Sequence, residues 1–199
     1  MKTNGRQRVR ILMDDDVMDR LDELARKEQT TFNQVVNTAL RKYAEWSSVY
    51  PEFGVVVSKT LLRSLFATAP EHVVREMGER NGREEGVRMV VLWRKKLDLE
   101  SVLHVFGKIL AHYSGLFVLD YSKNDDEVSV VLKHDMGIRA SAYYAEYAKS
   151  LCRALGMAYD VTETEGQVLV KARSGAQAMS ETEAAFKASP GRPLLADGS

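Results

Sequence analysis

Residues 8–46 read RVRILMDDDVMDRLDELARKEQTTFNQVVNTALRKYAEW, and their hydrophobic spacing changes as the chain advances. In 8–13, Val9, Ile11 and Met13 alternate with Arg8, Arg10 and Leu12, a period of two that predicts a half-buried strand. Asp14, Asp15 and Asp16 follow. Carboxylates suit a helix start, where peptide N–H groups are unpaired and the dipole is positive, and that role is preferred over metal binding. Val17, Leu21, Leu24 and Ala25 then fall on one stripe of a helix. The run from Lys27 to Thr31 breaks it. Thr31 is a good N-cap with Gln34 three residues later, as in a capping box. Phe32, Val35, Val36, Ala39, Leu40 and Tyr43 make a second stripe, and this helix is expected to run to about Trp46.

The order strand, helix, turn, helix cannot stand alone. A single strand leaves its backbone donors and acceptors unpaired, and this segment has too few apolar side chains for its own core. The consistent solution is a homodimer in which two strands pair antiparallel and four helices share one core.

Composition bounds the rest. The chain has 199 residues, enough for one domain or a small pair. Lys+Arg and Asp+Glu are both 28, so the net charge is zero and no global basic field draws the protein to nucleic acid. Apolar residues make up 45% and charged residues 28%, which excludes disorder as the main state. No apolar run approaches the ~20 residues of a membrane helix. The N-terminus MKTNGRQRVR lacks the apolar core of a secretory signal. The single Cys152 excludes an internal disulfide framework and a multi-cysteine structural zinc site. A cytoplasmic protein without membrane contact is expected.

Pro51, in the stretch 47–52, marks a hinge, and a second unit follows over 53–173. Strands are expected at 53–57, 87–93, 115–121 and 127–134, the last two joined by a hairpin link. Helices are expected at 59–67, 70–80, 99–113 and 139–155, with a glycine-rich charged turn at 81–86. A closing hairpin, 157–164 with 167–172, surrounds Glu165-Gly166. Mixed helices with antiparallel hairpins define the fold class as α+β. The tail over 174–199 has few large apolar residues and reads as disordered.

The ordered set of elements in residues 8–46 closely resembles the ribbon-helix-helix transcription factors. The resemblance implies that the unit 1–47 binds double-stranded DNA as a homodimer, with the paired strands entering the major groove. Outward Arg8, Arg10 and Leu12 would then face base edges. An arginine fork suits guanine O6 and N7, and each such pair is worth about 1–3 kcal/mol of discrimination. Leu12 stands where the family has a polar residue, and either meets a thymine methyl or is silent. The amides of Thr31, Phe32 and Asn33 would hold a phosphate. Gln29 replaces the family's usual turn glycine. Lys2, Arg6, Arg8 and Arg10 form a local basic patch with no acid between them, which adds Arg6 to the DNA-binding residues. Outward arginines on an alternating strand also serve as edge protection; the helices downstream favour the DNA reading.

The whole architecture is similar to that of the nickel-responsive regulators, where a ligand-sensing domain follows the ribbon. Metal ligation there needs clustered histidine and cysteine, whereas His72, His104, His112, His134 and Cys152 are scattered here. No metal and no cofactor are assigned. The stretch 134–144 is similar to small-molecule-binding domains of the vinyl-reductase-like and heme-NO-binding class. Its chemistry suits an anionic ligand held by His134 and Arg139, with Tyr143, Tyr144 and Tyr147 lining a pocket; the competing reading makes Tyr144, Tyr147, Ala148 and Leu151 a packing stripe. The second unit is therefore a sensor of a small-molecule effector, or a dimerisation or tetramerisation domain without a ligand. Enzyme motifs such as a phosphate loop, a nucleophile elbow or a paired-histidine zinc site are absent, so no enzyme is expected. The alternatives are an antitoxin, or a small-molecule-binding protein that uses the ribbon only to dimerise.

Overall fold

Three aspartates set the start of the first helix. The Asp14 carbonyl accepts from the Val17 and Met18 amides at 3.1 and 3.0 Å, and Asp15 and Asp16 occupy the first turn. Helix α1 runs Asp15–Lys27 and α2 runs Phe32–Lys42, continuing through a π-helical turn, Tyr43–Ser47. The structure, a computed structural model, describes residues 10–48, 56–124 and 127–174. The chain divides into two units, Met1–Val55 and Val56–Ser199.

Between α1 and α2 the chain turns on Gln29, whose φ of 53° is left-handed. The Gln29 amide donates to Arg26 O (3.3 Å) and the Thr30 amide to Ala25 O (2.9 Å). This pair of bonds is a Schellman motif, which a glycine usually closes. Thr31 then caps α2: its hydroxyl accepts from the Gln34 amide at 3.2 Å. The expected helix–turn–helix is therefore present.

The strand expected over 8–13 is not. Residues 8 and 9 lie outside the described residues, and 10–13 carry no strand. A strand exists only with a ladder partner, and the sheet of the described residues belongs wholly to the second unit.

The second unit is α+β. Helix α3 spans Lys59–Thr68 and α4 spans Glu71–Asn81. Helix α4 passes through a π-helical segment, Gly82–Gly86, into α5, Val87–Arg94. Asp98 opens α6, Leu99–Leu103, by accepting from the Ser101 amide at 2.8 Å. Its carboxyl is lowered to about 2 by Lys96 and by Ser101. A second π-helical segment, His104–Leu110, leads into α7, Ala111–Ser114. Strands β1 (Val118–Lys123) and β2 (Glu127–Lys133) precede α8 (Ile138–Ala154). Strands β3 (Met157–Thr164) and β4 (Gln167–Ser174) follow it.

The sheet order is β1-β2-β4-β3, all neighbours antiparallel. Thr164 pairs with Gln167, so Glu165 and Gly166 form a two-residue turn. Gly166 has φ +78°, and a methyl there would lie 2.7 Å from the His134 carbonyl oxygen, so only glycine fits. Val128, Val168, Val170 and Ala172 form the inner face and pack with Ala145 and Cys152 of α8 and Leu103 of α6. Each valine buried there contributes about 1.5–3 kcal/mol. The opposite side of α8 meets α4, where Gly78, Gly82 and Gly86 let the helices approach. A methyl on Gly78 would run into the Tyr143 carbonyl oxygen, and one on Gly82 would sit 2.5 Å from that of Tyr147.

Three expectations are corrected here. Residues 87–93 are helix rather than strand, and the turn expected at 81–86 is instead the last residue of α4 followed by the π-helical segment Gly82–Gly86. Of the strand expected at 53–57, residues 53–55 lie outside the described residues and Val56 and Val57 carry no strand. Both hairpins appear, the closing one where alternation and turn residues put it and the first with its leading strand at Val118–Lys123 rather than 115–121. β4 reaches Ser174, and the expected disordered tail beyond it lies outside the described residues.

Candidate nucleic-acid interface and the aromatic cluster

In the first unit the exposed residues preceding α1 and the start of α2 carry the sequence-predicted contacts. Arg6 and Arg8 lie outside the described residues. Arg10 is exposed, and Leu12 is 96% exposed. An apolar side chain that bare contributes nothing to this chain's own core. At the start of α2, Thr31 and Asn33 are exposed and Phe32 is half-buried. The Thr31 hydroxyl serves the Gln34 amide, while the Phe32 and Asn33 amides have no carbonyl one turn back to reach. Asn33 also lends its carbonyl to the Asn37 side chain at 2.7 Å. These are the donors that can hold an anion.

Charge is divided between the two helices. Asp15, Asp16, Asp19, Asp22 and Glu23 of α1 are all exposed. Helix α2 has no acid from Phe32 to Lys42 and ends on Arg41 and Lys42. Helix α1 also exposes Arg20, Arg26 and Lys27, so five acids against three bases leave it net acidic and less favourable to a polyanion than α2.

In the second unit, His134 and Arg139 flank the turn between β2 and α8, but their polar atoms serve the fold. The Met136 amide donates to His134 Nδ1 (3.2 Å), and His134 Nε2 lies 3.0 Å from Ser141 Oγ. Ser141 Oγ in turn donates to Thr164 O at 2.7 Å. This chain of donors requires a neutral imidazole with its proton on Nε2. Burial lowers the His134 pKa, against the pull of Asp135. Arg139 Nη1 donates to the carbonyls of Ala67 (2.5 Å) and Ala69 (2.8 Å), which close the end of α3. Tyr143 accepts at its hydroxyl from Asn81 Nδ2 (3.2 Å), and burial pushes its phenol up. His134 and Tyr143 both lie against Tyr144, with ring centroids 5.2 and 5.4 Å apart, while Arg139 faces α3.

Ring contacts continue from Tyr143 to Phe66 and Tyr147, from Tyr147 to Phe106, and from Tyr144 to Phe117. Tyr144, Tyr147 and Ala148 pack inward, as the packing-stripe reading expects. Sequence reasoning missed Ser141 and Asn81. The turn over 134–137 breaks any helical spacing between His134 and Ser141, and nothing local linked Asn81 to Tyr143.

Cys152 is buried, and its thiol is raised to about 11 by that burial. Among the described residues, no group of three or more His, Cys, Asp or Glu side chains is arranged to hold a metal ion. No helix among them is long and apolar enough to cross a membrane. No family model and no curated protein matches the chain.

Proposed function

We propose that the protein is a dimeric, sequence-specific DNA-binding transcriptional regulator of the ribbon-helix-helix kind. The observation that carries the reading is the pair α1 and α2, closed by a Schellman turn and an N-cap, with its apolar stripe uncovered. Among the described residues of the first unit only Ala25, Val35 and Trp46 are buried hydrophobics, while Val17, Met18, Leu24 and Leu40 are exposed. A unit of this size needs a partner to bury such a stripe. A second copy supplies it and gives residues 8–13 the antiparallel ladder that one chain cannot provide.

In this reading Arg8, Arg10 and Leu12 of both copies face the groove, and the Phe32 and Asn33 amides take a phosphate. The net acidic charge of α1 supports the orientation, because it favours α2 rather than α1 toward DNA. The second unit has its own core. That favours a regulatory or oligomerising role over the antitoxin alternative, whose partner-binding segment orders only on its toxin. An effector acts on such a regulator only by binding its DNA-competent and DNA-incompetent arrangements unequally.

Selection of duplexes from a random-sequence pool tests the reading. Enrichment of sites with two related half-sites is expected, mirroring the two-fold axis. A pool that emerges unenriched contradicts it.

A further inference from the structure

Helix α3 is held differently from every other long helix of the second unit. It buries none of its residues, whereas α8 buries seven. Only Leu62 and Phe66 of its ten residues are half-buried, and Leu65 is 55% exposed. Its polar attachment comes from one short segment, 135–139. Asp135 divides its carboxylate between Arg63 Nη2 (3.1 Å) and Lys59 Nζ (3.7 Å). The Asp135 carbonyl accepts from Arg63 Nε at 3.0 Å. At the other end of α3, Arg139 closes the carbonyls of Ala67 and Ala69. One aromatic contact, Phe66 on Tyr143 at 5.6 Å between centroids, lies between these two clasps.

We propose that α3 is an electrostatic strap, clasped at both ends by residues 135–139 and released without unfolding the unit beneath it. The ion pairs are half-exposed, so water and salt screen them and each contributes little. Few buried apolar contacts place a segment at the low end of local stability. Release bares Phe66 and the Tyr143 face of the aromatic cluster.

Hydrogen exchange read by mass spectrometry on the full chain tests this. Measurements at about 0.01 M and about 1 M salt compare Debye lengths of roughly 30 and 3 Å. Amides of α3 are expected to exchange about threefold to tenfold faster at high salt, with α8 and β4 unchanged. Asp135→Asn and Arg139→Gln are expected to do the same at low salt. If either variant also loosens α8, it has lost the fold, and the salt comparison on the unaltered chain decides. Protection of α3 equal to that of α8 and blind to salt overturns the proposal. So does protection that disappears on dilution, because a second copy rather than the clasp would then be holding α3.

Discussion

Gln29 stands in a backbone conformation that suits glycine, with φ 53°, because the Schellman turn between α1 and α2 needs it there. The left-handed conformation costs a side-chain-bearing residue about 1–2 kcal/mol, and glycine gives back part of that in unfolded-state entropy, about 0.5–1 kcal/mol. Gln29→Gly is therefore expected to raise stability by about 0.5–1 kcal/mol, read from urea midpoints at one protomer concentration. A loss of stability would mean that the Gln29 side chain makes a contact worth more than the strain. His134 offers a second residue-scale outcome. Its folded pKa lies below the ordinary value of 6.5, so near that pH the unfolded chain binds more protons than the folded one. The stability contributed by the neutral ring is complete above that value and is lost as pH falls through it toward the lower folded pKa. The melting temperature is expected to drop from about pH 7.5 to about pH 5.5 more steeply for the wild type than for His134→Gln. Parallel slopes would show that the ring is not held neutral.

At the scale of elements, the approach of α8 to α4 decides what the second unit tolerates. Gly78→Ala puts a methyl into a backbone carbonyl that cannot move without shifting α8. It is expected to cost about 3 kcal/mol or more, at the upper end for an overpacked core. Gly107→Ala is the control: its methyl meets side-chain atoms at ordinary contact distance, Leu119 Cδ2 at 3.4 Å and the Tyr121 ring at 3.7 Å, and helix propensity favours alanine by about 1 kcal/mol. Thermal melts of the two variants should therefore move in opposite directions. The same glycines explain where sequence reading failed. Gly82 and Gly86, among charges, carry the signature of a turn, yet they are glycines because Tyr147 lies against them, and the helix runs on through them. Val87 to Trp93 then carries the β-branched density of a strand, yet it continues a helix that buries Val90 completely. Local propensity yields to tertiary contact there. The hairpins and the capped helices α1, α2 and α8 were legible, because alternation, caps and breakers are local signals. Of the candidate site, the Thr31 cap was legible. The carbonyls that Arg139 binds were not, since Ala67 and Ala69 are remote in sequence, and neither was the Thr164 carbonyl that accepts from Ser141 beyond His134.

At the scale of the whole molecule, neutrality hides an uneven distribution: basic residues before α1, acids along α1, and an α2 without acids as far as Lys42. The first unit leaves an apolar stripe uncovered and the second encloses its own core, so oligomerisation belongs first to the DNA-binding reading. The most direct test is a fluorescence-anisotropy titration of wild type and the Arg8→Ala/Arg10→Ala double variant. The ligands are a duplex from the gene's own upstream region and a random duplex, each at two salt concentrations. The account predicts tight binding to the upstream duplex that weakens with salt. It also predicts that the double variant, which removes two arginines from each copy at about 1–3 kcal/mol apiece, loses about 4 kcal/mol of discrimination or more, while weak binding to random DNA persists. Binding that is absent, or indifferent to both substitutions, would contradict it and leave residues 8–13 as a dimerisation device.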